Sequence, residues 1–322
     1  MPEPLLETLD LTTHFSVRGG FLSRREEKVH AVNGVSLAVA PGEVLGIVGE
    51  SGCGKTTTGK TMLKLIEPTS GTIRFEGRDI TRLSAREMMP LRRRMQIVVQ
   101  DPVSSLNPRL TVAGIVGAPF EIHRVAAGAE KSDRVANLLR LVGLPADAMR
   151  RYPHEFSGGQ RQRIGIARAL ALDPRLVIGD EPVSALDVSI QAQIINLLMR
   201  LKAELGLTYI LISHNLGVVS HISDRVAVMY LGRVVESAPR EAIFFDARHP
   251  YTQALLSAVP MPVPGRTRTR TVLRGDVPSP LRPPTGCPFH PRCPMRMARC
   301  ESETPVLKPA AAAHDVACHL HG

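Results

Sequence analysis

The sequence lacks tryptophan, and aromatic residues make up only 4% of its 322 positions. Proteins that bind single-stranded nucleic acid stack bases on aromatic side chains, so this scarcity argues against that class. The chain has no run of about 18 apolar residues, the minimum for a membrane-spanning helix, and its first residues show no secretory signal. We therefore expect a chain that stays in the cytoplasm and does not cross a bilayer.

The charge balance is strongly basic, with a net charge of +10. Such a charge indicates an acidic partner, which is a nucleotide, a nucleic acid or an anionic membrane surface. A solvated, arginine-rich surface is an equally good interpretation. The hydrophobic fraction of 43% is that of an ordinary globular protein with a sizeable core.

One stretch follows the pattern G-x-x-x-x-G-K-T of a phosphate-binding loop. Its residues are Gly49, Glu50, Ser51, Gly52, Cys53, Gly54, Lys55, Thr56 and Thr57. An apolar strand over 43–48 precedes the loop and a helix over 57–65 follows it, which is the setting that the motif requires. Glycines allow the backbone N–H groups to point at phosphates, Lys55 is expected to reach the outer phosphates, and Thr56 is expected to hold magnesium. The alternative is a glycine-rich turn beside a lysine.

Strands alternate with helices along most of the chain, which predicts an α/β fold with a mostly parallel sheet. Residues 5–48 predict a strand-rich, antiparallel lead-in to the P-loop. Helical patterns predict an insertion over about 101–170. From about 236 the sequence becomes irregular and rich in proline, and we expect an appendage that does not continue the sheet. The predicted domains are therefore 1–235 and 236–322.

Polar residues recur where predicted strands end, at Gln100, Asp180, Glu181 and His214. Ligands of open α/β sheets bind at that edge. Asp180 ends an apolar strand, and a buried carboxylate there needs a partner such as the magnesium of a nucleotide. Glu181 is placed to act as a general base on water, and His214 to contact the same phosphate. Taken singly, a strand-end histidine or glutamine is more often a surface residue.

These motifs resemble the nucleotide-binding subunit of an ABC transporter over roughly residues 5–235. The deciding feature is the signature Ser157-Gly158-Gly159-Gln160, which other P-loop enzymes lack. Three further stretches resemble the oligopeptide/dipeptide importer ATPases, namely 100–109, 151–155 and 249–256. The basic insert at 19–28 is similar to that of the F-type member of the ATPase pair.

The resemblance implies a P-loop NTPase fold of the ABC type and a head-to-tail dimer that closes on two ATP molecules and reopens on hydrolysis. Lys55 and the loop would hold phosphate, and Thr56, Gln100 and Asp180 would hold Mg²⁺. Glu181 would polarise water and His214 would sense the γ-phosphate. The signature residues Ser157, Gly158, Gly159 and Gln160 would contact the partner's nucleotide, Asp187 would act across the interface, and Phe15 would stack on adenine.

The same resemblance implies partners at the cytoplasmic face of a membrane. These are two transmembrane permease subunits, a second ATPase chain that forms a heterodimer, and, indirectly, a peptide-binding protein; nucleic acid is not expected. Residues 104–111, beginning at Ser104, would lie near the permease contact. Three alternatives stay open: an importer of nickel or another small solute, a soluble ABC ATPase acting on nucleic acid or the ribosome, and a metal-dependent redox or sensor protein.

Five cysteines in a cytosolic chain do not predict a disulfide framework. Cys287, Cys293, Cys300 and Cys318 follow the spacing C-x5-C-x6-C-x17-C. Three interpretations compete: free thiols, a zinc site whose usual C-x-x-C element is missing, and a [4Fe-4S] cluster. The resemblance favours the cluster, because some peptide-importer ATPases carry a similar pattern after this core. Cys53 does not belong to the set.

Overall fold

The computed structural model describes residues 3–18, 26–101, 105–258, 273 and 275–321. Residues 19–25 of the basic insert and Ser104 lie outside the described residues. The chain forms two compact units, the first from residues 1–39, 45–81 and 213–322 and the second from residues 40–44 and 82–212. No helix of the described part combines the length and apolarity that a bilayer crossing requires.

The strands alternate with helices, as the sequence predicts. The strands are β1 (Leu6–Arg18), β2 (Glu26–Val39), β3 (Val44–Val48), β4 (Ser70–Phe75), β5 (Arg78–Asp79), β6 (Met95–Val98), β7 (Leu176–Asp180), β8 (Thr208–Ser213), β9 (Arg225–Tyr230), β10 (Arg233–Pro239), β11 (Lys308–Ala311) and β12 (His314–Val316). The helices are α1 (Lys55–Met62), α2 (Ala85–Arg92), α3 (Val112–Ile122), α4 (Gly128–Leu141), α5 (Gly158–Leu170), α6 (Val188–Leu205), α7 (Leu216–Ile222), α8 (Arg240–Phe245), α9 (Pro250–Ser257) and α10 (Arg299–Ser302). Short 3₁₀ turns cover Ala146–Arg150, Pro153–Glu155, His290–Arg292 and His319–His321.

The first unit contains an antiparallel sheet in the order β2-β1-β4-β5, which is the predicted lead-in. It also contains the strands β11-β12-β10-β9-β3, in which β3 and β9 are parallel. Every residue of β3 is buried, and its sequence Val-Leu-Gly-Ile-Val is apolar throughout. A strand that is covered on both faces has a continuous apolar sequence, and this is why β3 could be predicted from the sequence.

The second unit contains the parallel strands β8-β7-β6 and the helical insertion. The insertion consists of α3, α4, α5 and two 3₁₀ turns. Thr111 caps α3 by accepting a hydrogen bond from the Gly114 N–H. Gly206 ends α6 with a φ of 64°, a left-handed conformation that glycine adopts without steric cost. The predicted α/β fold with parallel strands and a helical insertion is confirmed.

The C-terminal extension does continue a sheet, and the expectation that it would not is wrong. β12 pairs antiparallel with β10, with Glu236 opposite Val316, and β11 pairs with β12. β12 and β11 are only three and four residues long and lack apolar alternation, so they are defined by the backbone pairing of β12 with β10 and of β11 with β12. Cys287, Phe289 and Cys300 of the extension also lie in the core of the first unit.

Candidate functional site

The predicted phosphate loop lies between β3 and α1, as its motif requires. Gly49 has a φ of 154°, and a Cβ there would lie 2.3 Å from the Met229 carbonyl oxygen. Gly54 has a φ of 100°, and a Cβ there would lie 2.1 Å from the Ala31 carbonyl oxygen. Both distances are far below any tolerated contact, so only glycine fits at these positions. Such glycines allow the tight winding by which a phosphate-binding loop presents backbone N–H groups to an anion.

Lys55 is buried and is the first residue of α1. Its Nζ donates hydrogen bonds to the carbonyl oxygens of Gly49 at 2.8 Å and of Glu50 at 2.9 Å. The ammonium group is thus held over the loop by two neutral acceptors. Phosphate oxygens are charged and therefore stronger hydrogen-bond acceptors, so we expect the Lys55 ammonium group to move to them when a nucleotide binds.

Other residues of the loop differ in exposure. Cys53 is buried with its Sγ 3.8 Å from the Lys55 Nζ, and burial raises the pKa of its thiol despite the nearby lysine. Ser51 and Gly52 are exposed, and Thr56 and Thr57 are half-buried in the first turn of α1. A helix N-terminus with exposed loop amides ahead of it is suited to bind an anion.

In the second unit, the ends of β6 and β7 bring two predicted residues together. The Gln100 Nε2 donates a hydrogen bond to the Glu181 Oε2 at 3.0 Å. Asp180, the last residue of β7, is buried, and Glu181 follows it half-exposed. An amide and two carboxylates at the carboxyl ends of parallel strands offer the oxygen ligands that magnesium prefers and a base for water.

The signature residues begin helix α5, also in the second unit. Ser157 caps the helix by accepting from the Gln160 N–H, and the Gln160 Oε1 accepts from the Ser157 N–H at 3.0 Å. This reciprocal capping box fixes the start of the helix. Ser157, Gly158 and Gln160 are exposed and Gly159 is buried. The helix N-terminus is therefore open to an external ligand.

Three further predicted residues have these positions. His214 follows β8 and is exposed. Asp187 is the exposed N-cap residue of α6, without a side-chain capping hydrogen bond. Phe15 lies on β1 opposite Val29 and is 39% exposed. No finding tests the roles assigned to these residues, and they stay predictions.

The four C-terminal cysteines converge in the first unit. The Cys287 N–H donates to the Cys300 carbonyl oxygen at 2.8 Å, and burial raises the pKa of Cys287 to about 11, with the other three thiols adding to the shift. Burial likewise raises the pKa of Cys293 and Cys318. Within the described residues, no three His, Cys, Asp or Glu side chains are arranged to hold a metal ion. The described residues therefore do not show the predicted iron–sulfur or zinc site, which stays a prediction.

Sequence reasoning missed contacts of the P-loop residue Glu50. Arg292 of the extension donates to both carboxylate oxygens of Glu50, and the Tyr251 hydroxyl accepts from the Glu50 N–H. Residues 249–256 carried the family resemblance, but the sequence assigned Tyr251 no role. No local signal pointed to Arg292, which lies 242 positions from Glu50.

Comparisons with known proteins agree with this geometry. The ABC transporter family matches residues 32–184 and the family "Oligopeptide/dipeptide transporter, C-terminal region" matches residues 235–300. The oligopeptide transport ATP-binding protein AppF of Bacillus subtilis is 52% identical over 99% of this chain and 98% of its own length. The chain belongs to the ABC transporter family. A putative peptide import ATP-binding protein of Brucella ovis is 51% identical to this ABC protein over 98% of the chain and 97% of its own length.

Solved structures show the same cassette fold. A dimeric post-hydrolysis state of the ATP-binding cassette MJ0796 bound to ADP and phosphate has a TM-score of 0.65 and 28% identity, covering 73% of this ABC protein and 98% of that chain. CbiO1 of Clostridium perfringens, part of an ABC transporter complex, has a TM-score of 0.64 and 29% identity, covering 76% of this chain and 92% of that chain. The family and the ATPase class predicted from the motifs are confirmed.

Proposed function

We propose that this chain is the ATP-hydrolysing subunit of an importer of oligopeptides or dipeptides. The observation that carries the proposal is that an ATP-binding cassette and the oligopeptide/dipeptide transporter C-terminal region occur together in one chain. The relatives that match nearly its full length are named as peptide import or oligopeptide transport ATP-binding proteins. ATP binding and hydrolysis would drive the permease between its two access states.

The ATP chemistry is divided among groups of known position. Lys55 and amides of the loop bind the phosphates, since Gly49 and Gly54 allow the tight winding of a phosphate-binding loop and Lys55 begins α1. Thr56, Gln100 and Asp180 would hold Mg²⁺, which supplies charge neutralisation on the phosphates when bound. Glu181 orients and deprotonates the attacking water, and the Gln100 amide at 3.0 Å fixes the direction of its carboxylate.

The exposed signature supports a role toward a second ATPase subunit. Ser157, Gly158 and Gln160 are accessible at the start of α5, and a capped helix N-terminus with glycines allows close approach of a phosphate. We propose that they contact the nucleotide held by the partner subunit, with Asp187 at the same interface. His214 would read the γ-phosphate and Phe15 would stack on adenine.

The proposed assembly contains two transmembrane permease subunits and a second ATPase chain, at the cytoplasmic face of a membrane. The test is purification of the tagged full-length chain from detergent-solubilised membranes, followed by mass spectrometry of its partners. Peptide-stimulated ATPase activity of the same complex in proteoliposomes is the second readout. Recovery of two permeases and peptide stimulation supports the proposal. Stimulation by nickel or another small solute alone, or recovery of ribosomes or DNA instead of permeases, overturns it.

The iron–sulfur centre, with zinc as its alternative, stays a prediction. Its support is that Cys293, Cys300 and Cys318 lie close enough to Cys287 to affect the pKa of that thiol. Iron, zinc and acid-labile sulfide are measured on chain purified without oxygen. About four irons and four sulfides per chain support the cluster; stoichiometric zinc supports the alternative, and neither metal identifies the cysteines as free thiols.

A further inference from the structure

The C-terminal extension contacts the phosphate loop through one ion pair. The Arg292 guanidinium donates from Nη1 to the Glu50 Oε2 at 2.7 Å and from Nη2 to the Glu50 Oε1 at 3.2 Å. This is the two-pronged geometry in which arginine binds a carboxylate most strongly. The Arg292 side chain is 7% exposed and that of Glu50 is 28% exposed, so water screens the pair far less than it screens a surface ion pair.

A second contact fixes the backbone of the same residue. The Glu50 N–H donates to the Tyr251 hydroxyl at 2.9 Å, and Tyr251 is fully buried. Tyr251 packs against Tyr230 and against Phe289 of the extension, with ring centroids 4.7 Å and 5.4 Å apart. The Arg292 guanidinium lies 6.0 Å from the centre of the Tyr230 ring. Both the side chain and the backbone of Glu50 are therefore held by one packed cluster.

The charge of Glu50 makes this arrangement relevant to nucleotide binding. A carboxylate in a phosphate-binding loop repels an anionic ligand, and the repulsion is strong at short range in a partly desolvated site. Arg292 supplies the compensating positive charge. The ion pair also draws the carboxylate toward the extension and fixes the Glu50 segment of the loop.

We propose that Arg292 is a positioning residue for nucleotide binding, which neutralises Glu50 and holds the phosphate loop in its binding conformation from the C-terminal extension. The extension is thus a structural part of the nucleotide site of its own chain, in addition to any role toward the transporter. The inference rests on the proposed binding of ATP phosphates by residues 49–57.

The test measures MgATP and MgADP affinity of the full-length chain by isothermal titration calorimetry. Arg292→Met removes the charge and keeps much of the side-chain volume. We expect the Kd for MgATP to rise about tenfold, because an uncompensated carboxylate then faces the phosphates. Arg292→Lys keeps the charge without the two-pronged geometry and is expected to give a smaller rise, of about threefold.

The decisive measurement is rescue by a second substitution. In the double variant Arg292→Met with Glu50→Gln, the repelling charge is gone, and we expect the Kd to return to within about threefold of the wild-type value. A residue that merely supports folding would show no such recovery. In the transporter complex, Arg292→Met is expected to raise KM for ATP with little change in kcat, because Glu181 and Lys55 are unaltered.

Two controls separate failure of this inference from failure of the ATP-site assignment. Arg299→Met removes an exposed arginine of the same extension, which pairs with Glu303 at 3.0 Å, and should leave the Kd unchanged. Lys55→Ala should abolish tight binding; if it does not, the assignment of the loop is wrong. If Lys55→Ala acts as expected but Arg292→Met has the Kd of wild type, or Glu50→Gln gives no recovery, the role of Arg292 is overturned.

Discussion

Glu181 has a backbone conformation that is uncommon for its residue type. Its φ is 49°, in the left-handed region that side chains with a Cβ seldom occupy. Its N–H donates to the Ile212 carbonyl oxygen at 2.9 Å, and its own carbonyl oxygen accepts from the Ser184 hydroxyl at 3.1 Å and the Ser184 N–H at 3.2 Å. Such strain is retained where the direction of one side chain matters. The left-handed conformation of Glu181 directs its carboxylate away from the course of β7 and toward Gln100.

Substitution of this residue should separate hydrolysis from binding. Glu181→Gln removes the proposed base while keeping its shape, so we expect ATP turnover of the transporter complex to fall by at least about 100-fold. The Kd for ATP should change little. Glu204→Gln, an exposed position at the end of α6, is the matched control. Turnover at the wild-type rate in Glu181→Gln would contradict the assignment of the base.

His249 links stability to pH. Burial, helped by the charge of His321, lowers its pKa from 6.5 to about 3, and its Nδ1 accepts the Tyr251 N–H at 3.0 Å as the cap of α9. Between about pH 6.5 and 3 the unfolded chain binds a proton at this position that the folded chain does not. The contribution of His249 to the free energy of unfolding is therefore fully present above about pH 6.5. It falls as the pH is lowered through this range, by up to about 1.4 kcal/mol per pH unit.

Asparagine also caps helices, so His249→Asn keeps the cap and removes the titration. We expect the stability of the variant to fall less steeply than that of wild type between pH 6.5 and 4. Urea unfolding at several pH values measures the difference, with His221→Asn, an exposed histidine of α7, as the control. Parallel curves for wild type and His249→Asn would show that another group causes the acid sensitivity.

At the scale of elements, one buried carboxylate joins three parts of the first unit. Glu236 on β10 is fully buried and accepts hydrogen bonds from the N–H groups of Arg248 and His249, at 2.7 Å and 3.1 Å. It also pairs with the buried His314 of β12 at 2.7 Å. The strand β10, the segment between α8 and α9, and the C-terminal strand β12 therefore meet at a single side chain.

The His314 contact should contribute measurably to the attachment of β12. His314→Ala leaves Glu236 with its two backbone donors but opens a gap, and we expect a loss of roughly 2 kcal/mol in the free energy of unfolding. Increased cleavage of the C-terminal segment in limited proteolysis should accompany it. His319→Ala, on the half-exposed turn that follows, is expected to change neither. Equal stability of His314→Ala and wild type would show that β12 is held by backbone pairing alone.

At the scale of the whole molecule, the role proposed for the exposed signature at the start of α5 requires a second subunit. In the Glu181→Gln background, which should preserve bound ATP, we expect ATP to promote dimers of this chain or of this chain with the proposed second ATPase subunit. Ser157→Arg places a bulky side chain on that surface and should prevent ATP-dependent dimers in size-exclusion chromatography with light scattering. The ATP affinity of the monomer should be retained.

Ser302→Arg introduces the same side chain at an exposed position of the extension and serves as the control. Dimers that persist in Ser157→Arg would contradict the interface role of the signature. A loss of monomer ATP affinity as large as that of Lys55→Ala would instead indicate that Ser157 acts within its own chain.

The sequence by itself determined the parts of the protein whose requirements are local. Gly49 and Gly54 have positive φ angles in the loop, the strands β3 and β7 are short apolar runs, and Ser157 satisfies a backbone donor three positions along the chain. Each of these constraints acts within a few residues, so it leaves a pattern that can be read directly. The family, the α/β fold and the order of its elements followed from them.

Only the tertiary structure decided the rest. The pairing of Arg292 with Glu50, the extension of the sheet beyond β10 by β12 and β11, and the convergence of the C-terminal cysteines join residues far apart in sequence. Such contacts impose no spacing on the chain, because the fold and not the local backbone brings their partners together. Arg292 lies in a proline-rich segment whose sequence suggests exposure, but in the folded chain its side chain is buried against Glu50 of the phosphate loop.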